Sequence, residues 1–137
     1  MALDEIPLFA MLRGRLGYLS ERQRLIAENV ANADTPGYAP RDLKPFSVVQ
    51  AQAATLTPVA PAMTSAMHLT GSLPKARNSF KPQRTADSET TLDGNSVVLE
   101  EEMMKLTQAR MDYEAAIGFY QKSLGLLRLA TRKPGAG

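Results

Sequence analysis

The end of the first predicted helix is marked by the sequence Asn29-Val30-Ala31-Asn32-Ala33-Asp34-Thr35-Pro36-Gly37-Tyr38. Its two asparagines are weak helix formers, and the residue before a proline is disfavoured in the helical region. We therefore expect the helix to stop near Ala33. Proline followed by glycine favours a type II turn, because proline sets φ at the first central position and glycine supplies a positive φ at the second. This turn directs Tyr38 back toward the helix.

Upstream of this motif, apolar residues recur in alternating steps of three and four. This period predicts a helix over residues 7–33, with Pro7 at the favoured first position. The alternation is interrupted at Gln23 and is typical of the apolar seam of a coiled coil. The seam residues assigned to this helix are Leu12, Leu16, Leu19, Ile26 and Val30.

The C-terminal part of the chain carries a second apolar seam of the same kind. It extends over about four heptads and has one polar interruption, Arg110. Residues 93–96 offer helix caps before it, and Pro134-Gly135 favours a stop after it. The residues assigned to this seam are Leu99, Met103, Leu106, Tyr113, Ile117, Tyr120, Leu124 and Leu127.

Between the helices lies a segment of different composition. Residues 49–74 contain no Asp, Glu, Lys or Arg, yet their prolines and polar residues argue against a membrane span. Short extended pieces are predicted at residues 46–49 and near residues 67–69, and the segment is expected to be mobile in the free protein. The chain thus divides into residues 1–39, 40–92 and 93–137.

Neither terminal helix can bury its seam alone. We therefore predict a mainly α fold in which the N- and C-terminal helices pair as an antiparallel coiled-coil hairpin, with a long and largely irregular middle segment.

The residues that most enzymes need are scarce in this sequence. The chain has no cysteine and a single histidine, His68, so we predict no catalytic residues, metal site or cofactor. A net charge of +2, from 16 basic and 14 acidic residues over 137 positions, argues against nucleic-acid binding. Residues 1–10 lack the basic region of a secretory signal peptide.

Two segments resemble the flagellar axial proteins of bacteria, the family of rod, hook and filament-junction subunits. The first is residues 29–38 with Arg41-Asp42-Leu43 and Phe46 after it. The second begins at Gly94-Asn95-Ser96 and includes Tyr113 and Leu127-Arg128. The second segment and the short chain favour a rod subunit. The motif residues assigned to assembly are Asn29, Asn32, Asp34, Thr35, Pro36, Gly37 and Tyr38.

The resemblance implies a structural subunit of the proximal rod of the basal body, which polymerises through its terminal helices into the periplasmic drive shaft. Its implied partners are copies of itself, other rod proteins, the adaptor between rod and membrane ring, and the flagellar type III export apparatus, which would export it without a cleaved signal peptide. No small-molecule substrate is expected. The alternatives are a soluble helical adaptor or chaperone that binds partner helices, and a small hydrolase, which the residue content disfavours.

Overall fold

A computed structural model of the protein describes residues 6–47 and 80–132. In chain order its elements are α1 (Pro7–Ala31), β1 (Arg41–Leu43), β2 (Pro82–Arg84) and α2 (Leu99–Thr131). None of the helices in these two ranges is long and apolar enough to cross a membrane. The predicted mobility of the middle segment falls mostly on residues outside the described ranges.

The first helix begins and ends close to the predicted positions. It starts at Pro7, where the missing amide hydrogen has no intrahelical role. It ends at Ala31, two residues before the predicted end, because Asn32 caps it instead of continuing it. The Asn32 backbone is non-helical and its Nδ2 donates to the Glu28 carbonyl oxygen at 2.8 Å.

The two helices pack against each other in antiparallel directions. Near one end the rings of Phe9 and Tyr120 meet edge to face, with centroids 5.5 Å apart. Near the other end Asn29 bonds to Glu102. The N-terminus of each helix therefore lies beside the C-terminal half of the other, which confirms the predicted helical hairpin.

The middle segment contributes a two-stranded antiparallel sheet. Its register pairs Arg41 with Arg84, Asp42 with Gln83 and Leu43 with Pro82. Phe46 and Ser47, the described part of the extended piece predicted at residues 46–49, are in no strand. The rest of that piece and residues 67–69 lie outside the described ranges.

Aromatic residues from both sides of the undescribed range pack on α1. The Phe46 ring turns toward α1, with centroids 5.4 Å from Tyr18 and 6.4 Å from Phe80. Phe80 also meets Tyr18 edge to face at 5.4 Å. The strand residue Leu43 joins Tyr18, Leu19, Leu25 and Ala116 in the hydrophobic core. The rings of Phe46 and Phe80 thus hold two points of the middle segment on α1.

Candidate functional site

The two sequence motifs contact each other at the end of the hairpin, in an arrangement that we call the junction (residues 29–38 and 93–96, with Glu102). Backbone bonds join them directly: the Gly37 amide donates to the Asp93 carbonyl at 2.9 Å, and the Ser96 amide donates to the Tyr38 carbonyl at 3.0 Å. Two regions that lie about 60 residues apart in the sequence therefore form one structural unit.

Asn95 satisfies the backbone of the turn that follows α1. Its side chain is buried, and Nδ2 donates to the carbonyl oxygens of Asn32 at 2.9 Å and Thr35 at 2.7 Å. Its Oδ1 accepts from the Val97 amide at 2.9 Å. One amide side chain thus links the end of α1 to the segment that leads into α2.

The turn itself has the features expected of Pro-Gly. The Tyr38 amide donates to the Thr35 carbonyl at 3.2 Å, and Gly37 has φ of +71°. These are the closing bond and the left-handed second central residue of a type II turn. Gly94 also has a positive φ, +82°, and a Cβ placed on it would lie 3.4 Å from the Gly37 Cα. The two turns therefore approach closely at glycines.

Asn29 is the most heavily bonded side chain of the junction. It is 1 % exposed, and its Nδ2 donates to the Arg41 carbonyl at 2.8 Å and to Glu102 Oε2 at 2.9 Å. Its Oδ1 accepts from the Arg41 amide at 2.9 Å and from the Tyr38 hydroxyl at 3.2 Å. An asparagine side chain has two donor hydrogens and two lone pairs, so its capacity is fully used.

Glu102 is completely buried and forms an ionic group with Lys105 of α2 and with Asp87, which precedes this helix. Lys105 Nζ donates to Glu102 Oε1 at 2.8 Å and to Asp87 Oδ1 at 2.7 Å, and Asp87 Oδ2 accepts from the Val98 amide at 2.8 Å. Burial raises the pKa of the Glu102 carboxyl, against the bonds from Lys105 and Asn29, which lower it. Burial by itself lowers the pKa of Lys105, but its bonds to Asp87 and Glu102 outweigh this and raise it.

The predicted turn residues differ in exposure. Asp34, Thr35, Pro36 and Gly37 are exposed, whereas Tyr38 is half-buried. Asn29 and Tyr38 point into the junction, and Thr35 Oγ1 bonds to Asn32 Oδ1 at 3.1 Å.

The predicted seam residues also differ in exposure. Leu12, Leu19 and Ile26 are buried, whereas Leu99 and Met103 are 45 % and 51 % exposed. The others are partly buried: Leu16, Val30, Leu106, Tyr113, Ile117, Tyr120, Leu124 and Leu127.

The buried residues of α2 are ones that the sequence analysis did not assign to the seam. They are Glu102, Ala109 and Ala116, spaced seven residues apart. Alanine is only weakly apolar and glutamate is charged, so neither marks a buried position in an apolar pattern. The seam was therefore assigned to the larger apolar side chains nearby. The heptad spacing of the two alanines was the signal that could have identified this face.

The described residues contain no group of three or more His, Asp or Glu side chains placed to hold a metal ion. Within the same two ranges, every buried side-chain nitrogen and oxygen has a hydrogen-bond partner. The polar atoms of the junction are thus occupied by one another, which suits a structural connection.

Comparison with known proteins gives relatives that share one name, flagellar basal body rod protein FlgB. The relative from Agrobacterium fabrum is 33 % identical over 115 residues, which cover 82 % of this chain and 84 % of the relative. The Escherichia coli K12 relative is 31 % identical over 106 residues, covering 74 % and 76 %. The Aeromonas hydrophila relative is 28 % identical over 134 residues, covering 93 % and 96 %.

No model of a protein family matches the chain. The relatives nevertheless confirm the resemblance found in the two motifs, and their name is that of a structural protein, as predicted, and not of an enzyme. The chain therefore belongs to the FlgB family of flagellar basal body rod proteins.

Proposed function

We propose that this protein is a structural subunit of the proximal rod, and that it polymerises through its terminal helices into the drive shaft of the flagellum. The observation that carries this proposal is an apolar stripe on α2 that α1 does not cover. We call it the outer stripe; it consists of Met104, Met111, Phe119, Leu126 and Leu129, each between 58 % and 73 % exposed.

The outer stripe lies along one side of the helix. Its members follow one another at intervals of seven, eight, seven and three residues, which keeps all five within about 80° of one another around the helix axis. The buried Ala109 and Ala116 lie about 120° around the helix axis from the centre of this stripe. A helix that is apolar on two sides is normally buried on both, so a second surface should cover this stripe.

The helix glycines give independent support. A Cβ added at Gly17, Gly118 or Gly125 would meet nothing within 4 Å. Packing within the single chain therefore does not require glycine there, although each costs about 1 kcal/mol of helix stability relative to alanine. Close approach of a neighbouring subunit would explain all three.

The remaining parts of the proposal rest on family membership. The covering surfaces would be further copies of this chain and other rod proteins, with the adaptor between rod and membrane ring at the proximal end. The assembled rod would lie in the periplasm, and the chain would reach it through the flagellar type III export apparatus without a cleaved signal peptide. Its mechanism would be mechanical, because apolar helix packing between subunits resists torsion.

A charge placed in the outer stripe tests the proposal. Phe119→Asp should leave the hairpin intact, since this ring is largely solvent-exposed, but should put a carboxylate into the contact between subunits. We expect cells with this variant as their only copy to export the protein, to lack it in isolated basal bodies, and to be non-motile.

The matched control is Gln121→Asp, which adds the same charge to an exposed position on another side of α2. Cells with this variant should assemble rods and swim. Normal rods in the Phe119→Asp strain would overturn the assignment of the outer stripe. A purified chain that stays a monodisperse monomer or dimer and never enters basal bodies would favour the adaptor or chaperone alternative.

A further inference from the structure

We infer that Asn29 and Glu102 form a register lock, a pair of buried polar side chains that determines which residues of α1 lie against which residues of α2. Asn29 is 1 % exposed and Glu102 is 0 % exposed. Asn29 Nδ2 donates to Glu102 Oε2 at 2.9 Å, although the two residues are 73 positions apart in the sequence. This inference concerns the folding of the single chain, so it holds or fails independently of the proposed role in the rod.

The apolar contacts of the hairpin do not define one register strongly. On α1 Leu12, Leu16 and Leu19 follow one another at steps of four and three, and on α2 Tyr113, Ile117 and Tyr120 do the same, so buried or partly buried apolar side chains recur at every helical turn. A repeating apolar surface offers similar burial after a slide, and in coiled coils a single buried polar residue often selects the register.

A slide of one turn would be costly for this particular pair. One turn before Asn29 on α1 lie Leu25 and Ile26, both with no exposed surface. Glu102 opposite them would be a buried carboxylate that has lost a hydrogen-bond donor. Desolvating a polar group without a replacement bond is strongly unfavourable, and more so for a charge. Asn29 would lose the acceptor for one of its hydrogens in the same movement.

Asn29 also connects the register to the turn. Its other three bonds go to the backbone of Arg41 and to the Tyr38 hydroxyl, at the start of β1 and at the end of the turn. A correct register of the helices and a correct path of the chain after α1 therefore depend on the same side chain. The lock also fixes where the outer stripe lies along the hairpin.

A polarity swap tests the pair. Asn29→Asp removes the donor to Glu102 and places two carboxylates in contact, so it should lower the urea midpoint of unfolding. Adding Glu102→Gln returns a donor, because the Gln amide can bond to the new carboxylate. We expect the double variant to recover at least half of the loss in midpoint.

Glu100→Gln is the matched control for this swap, since Glu100 is exposed on the same turn of α2. Combined with Asn29→Asp, Glu100→Gln should recover none of the loss in urea midpoint. If Glu102→Gln lowers the midpoint of the Asn29→Asp chain by as much as it lowers that of the unmodified chain, the two side chains are not coupled and the lock is overturned.

A distance measurement tests the register itself. The chain has no cysteine, so spin labels can be attached at Ser20→Cys and Arg128→Cys, both exposed positions. These sites are displaced along the hairpin by several turns, so a one-turn slip changes their separation by about 5 Å. The labelled chain that keeps Glu102 should give one distance, and the labelled Glu102→Leu chain, in which Asn29 has lost its partner on α2, should give a second distance as well.

Glu100→Leu in the same labelled chain should keep the single distance. A Glu102→Leu chain that stays helical with only the unmodified distance would overturn the inference. If Glu102→Leu does not fold, the polarity swap decides, because each of its variants keeps a polar side chain at both positions.

Discussion

Gly37 and Gly94 face each other across the junction, and a Cβ on Gly94 would stand 3.4 Å from the Gly37 Cα. Both residues have a positive φ, at +71° and +82°. Each glycine therefore meets a conformational requirement of its own turn. The junction depends on the approach of the two turns because the Gly37 amide bonds to the Asp93 carbonyl beside it.

The first prediction concerns Gly37. Gly37→Val forces a β-branched residue into the left-handed region, whereas Gly37→Asn keeps that region accessible. The valine variant should abolish swimming while export persists, since export requires only an unfolded chain, and the asparagine variant should retain most motility. Equal motility of the two strains would show that the motif acts by something other than turn geometry.

The second prediction concerns Ile117, a partly buried residue of α2. Ile117→Asp places a carboxylate in an apolar contact, and we expect it to lower the free energy of unfolding by about 2–3 kcal/mol. Chemical denaturation followed by helical circular dichroism measures this. Glu114→Asp, on an exposed position of the same helix, should change the free energy little. An Ile117→Asp chain as stable as this control would contradict the coiled-coil assignment at this position.

The third prediction concerns the ion pair that holds β1 on α1. Asp42 accepts from Arg22 Nε at 2.9 Å and from Arg22 Nη2 at 3.0 Å, and this bond raises the pKa of Arg22. Asp42→Asn removes the charge and turns an amide donor toward the guanidinium, so the free energy of unfolding should fall by about 1–3 kcal/mol.

The matched control for Asp42 is Glu21→Gln, which breaks the pair with Arg24, whose side chain is 58 % exposed. An exposed pair contributes at most about 1 kcal/mol. Thermal unfolding of the two variants should therefore give a clearly lower midpoint for Asp42→Asn. Equal midpoints would mean that the partly buried pair does not fix β1.

The fourth prediction concerns alkaline pH. The pKa of Lys105 is raised above its ordinary 10.5. A raised pKa in the folded state means that the stabilising contribution is complete below 10.5 and is lost as pH rises through the folded pKa. Lys105→Arg stays charged throughout this range. The urea midpoint of unfolding, measured from pH 8 upward, should therefore fall more steeply above pH 10.5 for the unmodified chain than for Lys105→Arg. Parallel plots of midpoint against pH for the two chains would contradict the prediction.

The amino-acid sequence by itself determined the helical segments, the turn and the family. These are local properties: apolar residues at helical spacing, the fixed φ of Pro36, the tolerance of Gly37 for positive φ, and short motifs that can be compared directly. Even the end of α1 was predicted to within two residues, because Asn32 caps through its own neighbours.

The face of α2 that packs on α1 was decided only by the tertiary structure. Since α2 carries apolar residues on more than one side, its periodicity alone cannot tell which side is covered within the chain. Leu99 and Met103 fit the predicted seam but are 45 % and 51 % exposed, whereas the small Ala109 and Ala116 are buried.

The bonds that complete the junction also depend on tertiary contacts. The pairing of β1 with β2, the contact of Asn95 with the turn, and the bond from Asn29 to Glu102 join residues about 40 to 73 positions apart. No local pattern marks such partners, because each polar group appears in the sequence as an ordinary cap or surface residue. It becomes a specific partner only when folding removes water from both groups, and each must then find its hydrogen bonds in the other.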